Sequence, residues 1–464
     1  MMKTNKLLMV LSFMLLPALA FAQWTQDTTF VPDGDDLFFE VHGVAVDNEG
    51  KVWVQSFYST ETIVVNRDLG DDGVPDTLST RAIYVYNADG TPADFSPLTV
   101  LEWEDGETPN DTLGRYWDPS LNDGAGGYDT RSGRGIEADY DGNIIISQWN
   151  VLFKLNSDGK VLAKVAPEIG SLTEASTDRD GNVYVSAVVA TDAPIVKYDP
   201  NLENPEEIIT LTSSFSRDFQ VSPDGNKVWW AGYTLGAVLE YSRPDEFSSF
   251  GAVPDTVLRG YKAESFDLHP QTYNLWIGSG SLNDVPAEGI QPQTWYAFDY
   301  STLGSDETRL DSIQWAAGAD VTSGYDNARP RALDFSPDGT IAYIGSFSAG
   351  ETDVDLQKFT TDQVYTSNED ENKNEIPEGY SLSQNYPNPF NPTTNIEYTI
   401  NQAGPVTLKV YDMTGREVAT LVNTRMNAGE HVVSFDASNL SSGVYIYSLQ
   451  ANGVRLTNKM TLIK

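Results

Sequence analysis

The sequence predicts an all-β chain, a six-bladed β-propeller followed by a small immunoglobulin-like β-sandwich. Three observations predict it. One strand–turn–strand unit recurs six times between residues 43 and 344, further short apolar strands follow most copies, and the composition changes after an acidic stretch near residue 362. A chain of 464 residues is too long for one core of ordinary size, and 40% hydrophobic with 11% aromatic content marks it as folded. Lys and Arg number 29 against 67 Asp and Glu, a net charge of −38, which excludes nucleic acid and anionic membranes as general partners. Cysteine is absent, so disulfides, thiolate metal sites and cysteine nucleophiles are excluded. His42, His269 and His431 are too few for a multi-histidine metal centre.

Residues 1–22 read as a secretory signal peptide. Lys3 and Lys6 precede an apolar run from Leu7 to Phe21, and Ala20-Phe21-Ala22 offers small residues for cleavage before Gln23. No later run approaches the ~20 apolar residues of a membrane span, so no transmembrane span is expected.

The repeats read GVAVDNEGKVWV from Gly43, GIEADYDGNIII from Gly135 and EASTDRDGNVYV from Glu174. They return as DFQVSPDGNKVWW from Asp218, SFDLHPQTYNLWI from Ser265 and ALDFSPDGTIAYI from Ala332. The Gly of the turn supplies the positive φ of a tight hairpin; the fifth copy has Pro270-Gln271-Thr272-Tyr273 instead. Residues 23–361 form the expected propeller. The sixth unit lacks a fourth strand, which residues 37–41 or 28–31 are expected to supply, and residues 104–133 show no strand pattern. With these motifs the repeats resemble NHL and YWTD-type propellers, a resemblance that implies fold and leaves function open.

Counting five residues back from each turn-initiating residue gives the expected channel-mouth positions His42, Arg134, Thr173, Arg217, Glu264 and Arg331. Gly127-Tyr128-Asp129 precedes Arg134 as Gly324-Tyr325-Asp326 precedes Arg331. One reading is a cationic ring for an anionic small molecule, glycan or protein ligand, walled by Tyr128 and Tyr325, because the guanidinium fork suits carboxylate and phosphate. The other is that each arginine pairs with a local carboxylate and ties blades together. Separately, Asp68, Asp71, Asp72 and Asp76 alternate with Gly70 and Gly73. That stretch resembles the Asp-rich calcium loops of dockerin-like and thrombospondin-type repeats, which makes calcium the one expected cofactor; Gly70 and Ser79 stand where that pattern has acids.

Residues 362–379 read as an acidic linker, and residues 380–464 hold six Lys or Arg and five Asp or Glu. In this block stand Tyr386-Pro387-Asn388-Pro389-Phe390, Gly415 in a turn after Tyr411-Asp412, Gly443-Val444-Tyr445, and a final strand ending at Lys464. These landmarks resemble the type A C-terminal sorting domain of the Bacteroidetes-lineage type IX secretion system. The resemblance implies the secretion machinery and a sortase-like peptidase as partners, passage through the periplasm, and a secreted or cell-surface location. The propeller is then a cargo that binds a ligand at its loop-rich mouth. The alternative is an extracellular propeller hydrolase or lyase, lactonase-like, with His42 as base and Glu264, Glu174 and Glu137 as its carboxylates.

Overall fold

In a computed structural model the described residues are 24–30, 41–57, 61–64, 77–118, 127–130, 132–189, 192–211, 215–246, 248–284, 288–305, 307–315, 328–347, 356–363, 380–400, 404–411, 416–427, 429–451 and 454–464. The expected leader, Asp68, Asp71, Asp72, Asp76, Tyr325 and Gly415 lie outside them. The chain divides into two compact units, Met1–Ser242 with Phe250–Tyr365, and Arg243–Ser249 with Thr366–Lys464. No helix among the described residues is long and apolar enough to cross a membrane.

The first unit is a β-propeller. Each of the six repeats opens one antiparallel sheet. The first sheet runs Val41–Val46, Val52–Ser56 and Ile83–Tyr86. The second runs Gly133–Ala138, Ile144–Gln148, Val151–Leu155 and Val161–Val165; the third, Ser176–Thr177, Val183–Val185, Pro194–Tyr198 and Glu206–Thr210. The fourth runs Phe219–Val221, Lys227–Gly232, Ala237–Ser242 and Asp255–Arg259; the fifth, Phe266–Leu268, Leu275–Gly278, Thr294–Phe298 and Asp311–Gln314. The sixth joins Arg329–Phe335, Ile341–Phe347 and Leu356–Thr360 to the N-terminal strand Thr25–Gln26. The first strands neighbour one another in chain order, and the sixth returns to the first, so the sheets close a ring around a channel.

The closing strand differs from expectation. Thr25 and Gln26, rather than residues 28–31 or 37–41, pair with Thr360 and Phe359, and Trp24 packs beside Trp276 and Phe335 to anchor that strand. The segments between sheets also carry unforeseen pairing: Val100–Leu101 with Asp111–Thr112, and Arg115–Asp118 with Gly127–Thr130. Two- and four-residue strands have too little alternation to show as a pattern.

The repeat signature has a local cause. The residue before each turn closes it with its side chain: Asp47 accepts from Lys51 N at 2.9 Å, Asp139 from Asn143 N at 2.8 Å and Asp178 from Asn182 N at 3.0 Å. Ser222 and Ser336 do the same with a hydroxyl, and the His269 ring accepts from Gln271 N and Thr272 N. In the glycine-free fifth turn Tyr273 takes a φ of +56°, a left-handed conformation costly for a bulky residue. Arg179 lies over its ring at 4.4 Å.

Every seam between neighbouring sheets is stapled by a side chain bonded to the next backbone. Gln55 accepts from Gly135 N, Glu174 from Ile136 N and Ser176 from Val221 N. Asp218 accepts from Phe266 N, Ser265 donates to Pro330 O and Asp334 accepts from Val46 N. First strands of two to seven residues cannot exchange a full ladder around a ring, so these bonds satisfy the inward backbone groups. Gly135 serves the same packing: its φ is +147°, and a Cβ there would lie 2.5 Å from Glu174.

In the second unit, Thr393–Ile400 pairs with Ser381–Leu382 and Gly429–Asp436, facing a sheet ordered Glu417–Met426, Gly404–Tyr411, Gly443–Ala451 and Val454–Leu462. Their inner faces bury Phe390, Ile396, Leu408, Tyr447, Leu449 and Met460, as alternating strands of a sandwich require.

Candidate functional site

His42, Arg134, Arg217, Glu264 and Arg331 stand at the starts of first strands or just before them, and the ring brings them to one end of the channel. His42, Arg134, Glu264 and Arg331 are buried and Arg217 is half-buried. Arg331 donates through Nε to Glu264 Oε2, and its Nη1 lies 3.0 Å from His42 Nε2. Arg329 Nη1 lies 3.4 Å from the other oxygen of Glu264. Among the described residues no carboxylate oxygen lies within 4.0 Å of Arg134 or Arg217. Buried donors without a hydrogen-bond partner follow from that imbalance: Arg134 Nε and Nη1, Arg217 Nε, Arg331 Nη2, and also His42 Nδ1.

Charge and burial act together. Burial pushes the His42 imidazole well below its ordinary range, and the positive charges of Arg331, Arg217 and Arg134 push it further, so it is neutral at pH 7. Burial and the nearby Arg331 lower Arg134 to about 10; burial with Arg331 and Arg134 lowers Arg217 to about 9. Both remain cations at neutral pH.

Aromatic rings stand against the arginines, while of the Gly-Tyr-Asp loops Tyr325 and the Tyr128 side chain lie outside the described residues. Arg134 lies 4.3 Å over Trp149 and 5.4 Å from Phe57, Arg217 lies 5.1 Å over Phe215, and Arg331 lies 4.1 Å over Phe347. His42 stacks on Phe57. Phe57, Trp149, Tyr233 and Phe347 end or directly follow the second strands of the first, second, fourth and sixth sheets. That recurrence is visible in the repeats, one strand-length beyond the turn glycines Gly50, Gly142, Gly225 and Gly339. Trp149 holds a φ of +52°, strained for an indole-bearing residue, in the tight turn that brings it under Arg134. Tyr128 lies in the strand Gly127–Thr130, opposite Trp117.

On the first strands or just before them lies a belt of carboxyls: Glu137, Asp267 and Asp334 within the strands, Glu174 and Asp218 ahead of theirs. Protein surrounds all five, yet Glu137, Glu174 and Asp334 keep some accessible surface because they line the channel. Burial and mutual repulsion raise Glu137, Glu174 and Asp267 well above the carboxylate range. Burial lifts Asp218 to about 8 and Asp334 to about 7, against backbone N–H bonds that pull the other way. The mouth does not fit a divalent cation: its arginines repel one, and Asp218 and Asp334 already accept two backbone N–H groups each. Among the described residues no group of three His, Asp or Glu side chains could hold a metal ion.

The C-terminal landmarks also have defined places. Asn388 Oδ1 accepts from Thr461 N at 2.9 Å, and Phe390 N donates to Thr461 O at 2.9 Å with its ring in the core. Pro387 O accepts from Asn385 and Thr394, Pro389 precedes the buried ring, and Tyr386 stays 82% exposed. Gly443 opens a strand, and Lys464 Nζ donates to Ser438 O at 2.6 Å. The motif thus ties the start of the sandwich to its last strand. Residues 384–464 match the secretion system C-terminal sorting domain. That domain marks proteins exported by type IX secretion to the cell surface or the extracellular space, so the chain is a cargo of that machinery.

No curated protein matches the chain by sequence. Among solved structures, a gluconolactonase from Xanthomonas campestris is similar at 12% identity and a TM-score of 0.45, over 74% of this chain and 91% of its own. A luciferin-regenerating enzyme gives 10% and 0.44 over 74% and 97%. Regucalcin from Agrobacterium tumefaciens, a calcium-binding protein, gives 10% and 0.43 over 72% and 94%. Likenesses of this strength carry no argument about residues or activity.

Proposed function

We propose that this exported six-bladed propeller binds an anionic ligand at its channel mouth, through Arg134, Arg217 and Arg331, with His42 as a neutral contact. One observation carries the reading: buried guanidinium N–H groups of Arg134, Arg217 and Arg331 have no partner, although acidic residues dominate the chain. Leaving a buried cation without hydrogen bonds is costly, and a carboxylate relieves that cost with charge-assisted bonds. Glu264 forms ion pairs with Arg331 and Arg329 but not with Arg134 or Arg217, which favours a ligand role over one confined to tying blades together. The global charge repels anions, so association is slow at low ionic strength and quickens with added salt. The test is a calorimetric screen of carboxylated sugars, organic acids and acidic peptides on the full chain. Arg134→Ala and Arg217→Ala each weaken anionic hits by roughly 1.5–3 kcal/mol. Hits that are neutral or cationic, or anionic hits indifferent to both changes, overturn the reading.

A second reading, an extracellular hydrolase or lyase, is favoured by the belt. Burial and mutual repulsion raise Glu137 and Glu174, on the same channel as the cationic mouth, in the direction a general acid needs. Turnover of a lactone or uronate-containing oligosaccharide that is lost in Glu174→Gln supports it. Binding without turnover rejects it.

A further inference from the structure

Two glutamines meet at the seam between the first and second sheets, and they are used differently. Gln55 is fully employed: its Oε1 accepts from Gly135 N at 2.8 Å and its Nε2 donates to Ser147 O at 3.3 Å. Gln148 is fully buried, and neither its Oε1 nor its Nε2 has a hydrogen-bond partner. Gln148 ends the strand Ile144–Gln148 opposite Gly133, next to Arg134, and is followed by Trp149, on whose ring Arg134 lies. Gly133 has no room for a Cβ, which would meet the Gln55 side chain at 2.7 Å, so the backbone passes close to that amide. Gln148 thus stands across from the residue that precedes Arg134 and one residue before the indole on which Arg134 lies.

We propose that Gln148 is the specificity-determining residue of the mouth, and that the ligand is a carboxylate bearing a hydroxyl close to its carboxyl group, such as a uronic acid. This rests on the anion-binding reading above. A carboxylate answers the N–H groups of Arg134 and the Nε2 of Gln148, but it has no proton for Oε1. A hydroxyl both donates and accepts, so it can serve an amide whose two ends are free. A site built around a hydroxyl rejects the analogue that lacks one, because the buried amide is then left unpaired. Trp149 adds a face for the ring that carries both groups.

The test compares D-galacturonate with cyclohexanecarboxylate, two ring carboxylates that differ in their hydroxyls, by calorimetry on the full chain. The wild type binds galacturonate about tenfold or more tightly than the analogue. Gln148→Leu brings the two affinities within about twofold by weakening galacturonate alone, whereas Arg134→Ala weakens both. Equal wild-type affinities, or a preference that survives Gln148→Leu, overturn the role of Gln148 and leave the anion site standing. If the wild type binds neither compound, the hydroxy-carboxylate assignment falls, and the anion site is decided by the wider screen. Should Gln148→Leu not fold, the wild-type ratio decides alone: a clear preference for galacturonate supports the proposal, and equality overturns it.

Discussion

Glu264 and Arg331 form a buried ion pair across the seam of the fifth and sixth sheets, each side chain about 1% exposed. Glu264 is the counter-charge of the mouth, holding Arg331 through one oxygen and approaching Arg329 with the other. Removing one partner of a buried pair strands the other charge. Glu264→Gln is expected to destabilise the propeller by about 3 kcal/mol, read as a lower midpoint in urea. The same change makes the mouth more cationic, so an anionic ligand binds more tightly and restores part of the lost stability. A variant as stable as the wild type would show that the pair contributes nothing.

The carboxyl belt predicts how stability varies with pH. Asp218 at about 8 and Asp334 at about 7 are raised in the folded state, in the same direction as Glu137, Glu174 and Asp267. A raised acid binds more protons folded than unfolded, so its contribution is full below the ordinary carboxylate range and is lost as pH rises through the folded value. His269, lowered to about 4 by burial, acts oppositely: its contribution is full above about 6.5 and is lost as pH falls towards 4. Between pH 6.5 and 8.5 the acids govern. The stability of the full chain is expected to fall across that window, by at most about 1.4 kcal/mol per pH unit for each titrating group, and the Tm falls with it. Asp218→Asn lowers stability at pH 6.5 by spoiling one seam, and makes the slope shallower. A Tm that rises with pH contradicts the direction.

The propeller was legible because its turns are chemically explicit. Asp47, Asp139 and Asp178 each close a turn whose Gly supplies the positive φ, so the signal is local. The convergence of Arg134, Arg217 and Arg331 was also accessible, because equivalent positions of a repeat must share one end of a ring. What the sequence hid depends on long-range geometry. Trp149 and Gln148 read as the end of an ordinary strand until the turn at φ +52° sets the indole under Arg134. Of the belt, Glu137 and Glu174 stood out as candidate carboxylates, but Asp218, Asp267 and Asp334 did not join them, since the shared environment of all five exists only once the seams close. The N-terminal strand was misplaced because Thr25 and Gln26 carry no pattern of their own and are held by Trp24.

The Asp-rich stretch of residues 68–76 yields a separate expectation. If its carboxylates wrap calcium, the ion binds the native state only and raises stability by mass action. Millimolar calcium added to chelator-treated protein then raises the Tm, and Asp72→Ala together with Asp76→Ala abolishes the rise. A melting curve unchanged between chelator and calcium assigns the stretch to an acidic surface loop.

Export depends on a folded tail, and Phe390 offers a way to separate folding from recognition. Its ring is buried among the core residues of the sandwich, and its backbone exchanges bonds with Thr461 and Ile463 on or beside the last strand. Phe390→Ala removes a core ring, a change that costs about 3–5 kcal/mol, and is expected to melt the sorting domain while the propeller stays folded. Tyr386, four residues earlier, is 82% exposed and contributes little packing, so Tyr386→Ala leaves the Tm of the tail within about 0.5 kcal/mol of the wild type. In a host with type IX secretion, the Phe390→Ala chain and a chain lacking residues 380–464 both accumulate inside the outer membrane. The comparison that matters is Tyr386→Ala, measured by the fraction of protein reaching the surface or medium. Retention of this folded variant means that the exposed ring is read by the machinery. Normal export means that the motif acts through the fold it closes, with Asn388 and Phe390 as its working members.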